Sequence, residues 1–142
     1  MAYSLDYVAQ LLDVASEDVA LTVREAIAPL EQVQYYHYVA KPRGAGAGDH
    51  PSQRPIHVLL FRSPDDALAF AKQVRIAETP RVRPISNTAA VLHLLAEPRV
   101  VRVIFLQQSL HTIPPGLTRQ SLGTLPGAYV LERAALLGSL LI

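Results

Sequence analysis

The chain contains no cysteine and no tryptophan. Without thiols there is no disulfide framework, no zinc ribbon, no iron–sulfur ligand set and no cysteine nucleophile. Charge is scarce as well: 18% of the 142 residues are Asp, Glu, Lys or Arg, against about 25% in an average soluble chain. Long hydrophobic runs are missing too. The longest uncharged stretch, residues 103–118, is interrupted by Gln107, Gln108, His111, Pro114 and Pro115. The closing AALLGSLLI, residues 134–142, is about half the length needed to cross a bilayer. The start, MAYSLDYV, lacks a basic n-region and places Asp6 where a signal peptide needs apolar residues. These absences predict a soluble, cytoplasmic protein without a membrane segment.

What is present is apolar. Half the residues are hydrophobic, enough to bury a core without staples and too many for a disordered chain. The excess, with a charge-poor, Leu-rich C-terminus, predicts a homo-oligomer that associates through that apolar terminus; the other fate for the terminus is packing on its own core. The net charge of +1 hides an asymmetry. Residues 1–40 carry Asp6, Asp13, Glu17, Asp18, Glu25 and Glu31 against Arg24, a balance of −5. Residues 41–54 stand at +2 and residues 55–142 at +4. An acidic front beside a basic body predicts docking of one on the other, within or between chains.

The periodicity divides the chain at about residue 32. Ser4 is placed to cap a helix carrying Leu5, Val8, Leu11 and Leu12, which ends near Asp13. Ser16 is expected to cap a second helix with Val19, Val23, Ile27 and Leu30 on one face, ended by Pro29. Residues 33–40, VQYYHYVA, change to a β-branched and aromatic period of two and predict a strand. Residues 41–55 hold three glycines and three prolines and read as a flexible loop.

Between 56 and 106 the pattern is strand, helix, strand, helix, strand. IHVLLF (56–61), RVRPI (81–85) and VVRVIFL (100–106) are the strands. Ser63-Pro64-Asp65-Asp66 starts one helix, running to about Ala77, and Ser86 or Asn87 caps the other, ended by Pro98. Connections this short imply parallel pairing. Residues 113–127 read as an extended crossing loop, and a last helix is expected from about Ala128. The predicted fold class is therefore α/β: a small parallel βαβαβ core, an antiparallel Tyr-rich edge strand, an N-terminal helical hairpin (1–32) and a C-terminal helix. Residues 33–142 form the α/β domain, and the whole is expected to be one compact unit.

The segment SLDYVAQLLDVASEDVALTV (4–23) has Ala9, Val14, Val19 and Val23 at a spacing that resembles the helix–turn–helix of bacterial regulators, with Asp13 where that family has its turn glycine. The resemblance implies DNA binding through the second helix. The charge opposes it, because phosphate neutralisation drives nucleic-acid affinity and this segment is acidic. A structural role is the expectation, and nucleic acid is not the expected partner.

Other chemistries are weaker still. GAGAG (44–48) leads into Asp49-His50-Pro51 rather than a helix, so it lacks the geometry of a dinucleotide loop. His37, His50 and His57 flank or occupy the long loop and would suit a transition metal only if they converged. His93 reads as a packing histidine in an apolar helix, and His111 as a loop residue. There is no G-x-S-x-G, S-x-x-K or H-E-x-x-H, and Asp65-Asp66 serve helix capping. No catalytic residue, metal or cofactor is implied.

One candidate site follows from fold logic. Open parallel sheets bind ligands at the carboxyl ends of their strands. Here those ends bring Arg62 and Ser63, then Ser86, Asn87 and Thr88, then Gln107, Gln108 and Ser109. The set is polar, and the helix start at Asn87 is suited to a small anion. The expected function is a non-enzymatic, homo-oligomeric binding or regulatory module for a small anionic ligand. The alternatives are the helix–turn–helix regulator and an enzyme acting on a small anionic metabolite.

Overall fold

In the computed structural model, which describes residues 3–39, 56–73, 81–108 and 127–141, each local pattern meets a different fate. α1 (Leu5–Leu12) starts as expected, with the Ser4 side chain accepting from the Tyr7 amide at 3.1 Å. It stops at Asp13, whose φ of 56° is the left-handed turn that ends a helix. α2 (Ser16–Ile27) starts one residue earlier than expected: Ala15 is the cap and Ser16 is already helical. The Ser16 hydroxyl instead donates to the Asp6 carboxylate at 2.9 Å, a charge-assisted bond that ties the two helices.

β1 (Gln34–Val39) and β2 (Ile56–Phe61) follow, then α3 (Pro64–Gln73), β3 (Arg81–Ser86), α4 (Asn87–Ala96) and β4 (Val100–Leu106). Ser63 and Ser86 cap their helices, accepting from the Asp66 and Ala89 amides. The chain ends with β5 (Ala128–Glu132) and α5 (Arg133–Leu140). The expected loop 41–55, the end of the α3 helix towards Ala77, the crossing loop short of Gly127, and His50, His111 and Ser109 lie outside the described residues.

The protein is α/β, with five helices and a five-stranded mixed sheet among the described residues. The strand order is β3-β1-β2-β4-β5, and only β2 and β4 pair in parallel. The expected parallel three-stranded core is thus corrected. β1 is not an edge strand either; it lies antiparallel between β3 and β2. Composition explains both corrections. Tyr35 of β1 is fully buried and Tyr36 packs on the opposite core, so β1 needs cover on both faces. β3 carries exposed Arg81, Arg83 and Pro84, and a strand with a proline and outward charges belongs at an edge.

Ala128–Glu132 was expected to begin a helix and is instead β5, antiparallel to β4. β4 is buried along most of its length, and without β5 its outer edge would hold unpaired amides beside that core. The pairing sets Tyr129 opposite Phe105, with ring centroids 6.1 Å apart, and Glu132 opposite Arg102, with an ion pair at 2.5 Å.

Alternation along the strands sends side chains to two cores. Tyr35, Leu60, Val103, Phe105 and Leu131 face α1, α2, α4 and α5; Leu59, Phe61, Ile104 and Leu106 face α3 through Ala67 and Phe70. α4 is the central helix of the first layer. Its Ala90, Val91, Leu92, Leu94, Leu95 and Ala96 are all buried, and each buried Val or Leu contributes about 1.5–3 kcal/mol of transfer free energy. Val8 and Ala9 of α1 and Val19, Val23 and Ala26 of α2 belong to that same core. Leu136, Leu137 and Leu140 of α5 pack against it as well, so much of the Leu-rich C-terminus is engaged within the chain. Among the described residues no helix is long and apolar enough to cross a membrane.

Candidate functional site

The registers bring five strand ends to one rim. Gln34 faces Ser86, Tyr36 faces Phe61, Phe61 faces Leu106 and Leu106 faces Ala128. The carboxyl ends of β2, β3 and β4 therefore meet the amino ends of β1 and β5. β2 leads into α3 on one face of the sheet, whereas β3 leads into α4 on the other. Connections that part to opposite faces create the crevice in which α/β sheets hold ligands. Here β1 enters that crevice from the opposite direction.

The chain itself fills much of the gap. The Gln32 side-chain amide donates to the carbonyls of Gln34 at 2.7 Å and Arg62 at 3.2 Å. The Gln32 carbonyl accepts from the Asn87 side-chain amide at 2.5 Å, and the Asn87 backbone amide donates to the Val33 carbonyl at 3.0 Å. Residues 32–34 thus lock the end of the helical segment onto the start of α4. Two of the first three amides of α4 are used in this way, Asn87 on Val33 and Ala89 on the Ser86 hydroxyl. That arrangement takes anion-binding capacity away from the α4 start. Asn87 is 5% exposed, and its Oδ1 is buried with no hydrogen-bond partner. An orphan acceptor calls for a donor, not an anion.

Of the residues expected at the site, Arg62, Asn87 and Gln107 join one network. The exposed Arg62 guanidinium donates to the Gln107 carbonyl at 3.4 Å. The Gln107 side-chain oxygen accepts from the Glu31 amide at 3.2 Å and the Tyr35 hydroxyl at 3.4 Å. Burial raises the Tyr35 phenol pKa above its ordinary value, so it stays a neutral donor. Ser86 serves as the cap of α4, and Thr88 is exposed in its first turn. Gln108 lies over Gly127, where an added Cβ would meet Gln108 Cγ at 2.6 Å; φ is +79° there, so glycine is required twice over.

Sequence logic missed Glu31, Gln32, Gln34 and Tyr35. Two glutamines at the start of a tyrosine-rich strand are the available signal, and they point to this rim only when β1 lies inside the sheet rather than at its edge. The same alternation separates two histidines offered for a metal: His37 shares the face of Tyr35, and His57 that of Leu59 and Phe61. No group of three or more His, Cys, Asp or Glu among the described residues is placed to hold a metal ion.

A second concavity, about 340 Å³, opens at the other end of the sheet between Pro98, Arg102, Glu132 and Leu137. Its cations are held by the chain, although the buried Arg102 Nε has no hydrogen-bond partner among the described residues. Arg102 pairs with Glu132, while Arg133 donates to the Leu94 and Leu95 carbonyls at 3.1 and 3.2 Å, closing the C-terminus of α4. The chain matches no family model, no curated protein and no solved structure.

Proposed function

We propose that the protein is a non-enzymatic, self-associating binding module, and that a small anionic ligand binds at the outer rim of the crevice, on Arg62. The observation that carries this proposal is an exposed guanidinium at the joint of β2 and α3, with Gln32 bonded to the Arg62 carbonyl and Gln107 accepting from the guanidinium itself. Among the described residues the guanidinium makes one hydrogen bond, a long one to a neutral carbonyl, which leaves the other donors of the fork for a carboxylate or phosphate. The α4 start supports the fold at this place, and Arg62 supplies the charge. The helix–turn–helix alternative gains no support from the exposed residues of α2, where Glu17, Asp18 and Glu25 stand against Arg24.

The test is thermal stabilisation of the full chain by inorganic phosphate, sulfate and short carboxylates. Stabilisation that saturates, and that Arg62→Ala abolishes, is the expected result. Stabilisation that survives Arg62→Ala removes the site assignment. Absence of any stabilisation removes the ligand. Self-association is tested separately, by sedimentation across a dilution series.

A further inference from the structure

At the base of the sheet the β4–β5 ladder sets Arg102 opposite Glu132. Cross-strand neighbours of opposite charge attract, and this pair meets at 2.5 Å through Arg102 Nη2 and one Glu132 oxygen. The bond uses half of what the guanidinium offers. Its Nε–H and one Nη2–H lie along a single edge of the planar fork, spaced for both oxygens of one carboxylate. Glu132 meets only the Nη2 half, and the buried Nε has no hydrogen-bond partner among the described residues. A buried donor on a charged group is costly to leave unsatisfied. The edge calls for a carboxylate that fits it better. The Glu132 side chain is held weakly: it is half exposed, and it caps α5 without a side-chain hydrogen bond.

Arg102 and Glu132 stand in the wall of the concavity of about 340 Å³. Arg133 and Ala134, the first two residues of α5, line it as well. Their amides receive no bond from the capping side chain, which leaves the positive end of the helix for an oxygen of a ligand. The Arg133 guanidinium adds positive charge nearby while remaining bonded to the α4 carbonyls. The rest of the wall is apolar, from Pro98, Val101 and Leu137. The volume is at the lower end of the range for small-molecule sites, about 300–1,000 Å³, and suits one small molecule with a short aliphatic side chain.

A bare carboxylate does not suffice. Taking the Arg102 edge displaces Glu132 and leaves its charge unpaired beside the incoming anion. A ligand that exchanges with an ion pair must supply both charges. We propose that this concavity binds a free α-amino acid with an aliphatic side chain. The ligand carboxylate takes Nε and Nη2 of Arg102 and the first amides of α5, its ammonium takes Glu132, and its side chain lies on Val101 and Leu137. Nε is shielded from solvent, so the half-exposed Glu132 side chain swings off Arg102 as the ligand enters. The site lies at the opposite end of the sheet from Arg62 and is independent of self-association.

Calorimetric titration of the full chain with L-leucine tests it. The comparison ligands are glycine, 4-methylpentanoate and 3-methylbutylamine, which lack in turn the side chain, the ammonium and the carboxylate of leucine. Leucine is expected to saturate one site, and each comparison ligand to bind at least about tenfold more weakly. No leucine binding, or a comparison ligand that binds as tightly, overturns the site and leaves the anion reading of Arg62 standing. Two variants, with circular dichroism to verify the fold, separate binding from structure. Glu132→Gln should weaken leucine at least about tenfold yet strengthen 4-methylpentanoate, because the competing carboxylate is gone. Arg102→Lys keeps the charge, loses the fork and should abolish both. Leucine affinity unchanged in either variant, or 4-methylpentanoate weakened by Glu132→Gln, refutes the assignment. The titrations are repeated on Arg62→Ala, which removes any carboxylate held at the rim. Leucine binding should persist there; its loss would place the ligand at the rim and overturn this site.

Discussion

Asn87→Asp replaces one atom and should cost more than Asn87→Ala. Asn87 is 5% exposed, its amide donates to the Gln32 carbonyl at 2.5 Å, and its Oδ1 is buried without a partner. Truncation to alanine leaves the Gln32 carbonyl unpaired, at about 1–3 kcal/mol, but also deletes the orphan oxygen, whose desolvation costs a similar amount. The net loss should be about 1 kcal/mol. Aspartate removes the donor, keeps the orphan and sets a carboxylate oxygen against a carbonyl. The first turn of α4 returns at most about 1 kcal/mol to that charge, so the net loss at pH 7 should exceed about 3 kcal/mol. Urea unfolding reads both. With an m-value of about 2 kcal/mol/M, the alanine midpoint falls by about 0.5 M and the aspartate midpoint by more than about 1.5 M. The pH dependence has a definite sign. A buried carboxyl facing an acceptor has its pKa raised above the unfolded value of about 3.9. The deficit is therefore smallest below that value and grows as pH rises through the folded pKa. An aspartate variant as stable as the alanine variant, or a deficit independent of pH, would refute the donor role of Asn87 and the lock built on it.

Two further outcomes are expected. Burial lowers the pKa of both His37 and His93 below the ordinary 6.5; the charges of His93 and Arg83 add to the effect at His37, while Glu97 opposes it at His93. Their stabilising contribution is complete above pH 6.5 and is lost as pH falls through the folded values. The melting temperature should decline between neutral and mildly acidic pH, with a shallower slope in His93→Gln; an unchanged slope would remove that histidine from the account. Arg133→Met keeps the aliphatic stem but loses both bonds to the last turn of α4, at about 1–3 kcal/mol. Amide exchange should quicken at the end of α4 and stay unchanged in α3, and equal acceleration in both would show that the loss is global.

How much of this was legible depended on range. Ser4, Ser63 and Ser86 announced helix starts because a cap needs only a hydroxyl three residues before an amide. Ser16 is the exception, because the helix begins at Ser16 itself and its hydroxyl donates to a carboxylate ten residues away rather than accepting from a local amide. The candidate rim was half legible. Arg62, Asn87 and Gln107 follow from strand ends alone, but their link through Gln32 and Glu31 requires β1 to arrive between β3 and β2. Residues 128–132 were ambiguous by composition, as AYVLE suits a helix turn or a strand, and the open edge of β4 decided it.

The sequence by itself determined the α/β class, the approximate extents of most helices and strands, the capping serines and the absence of thiol chemistry, because each depends on neighbours a few residues apart. Tertiary structure alone decided the strand order, the single parallel pair, the filling of the crevice by Gln32 and the opposite faces taken by His37 and His57. Those depend on which strand offers a free row of amides to which, and on which strand can tolerate an exposed edge. Arg81, Arg83 and Pro84 made β3 suited to that edge, and the buried Tyr35 could not have been placed there.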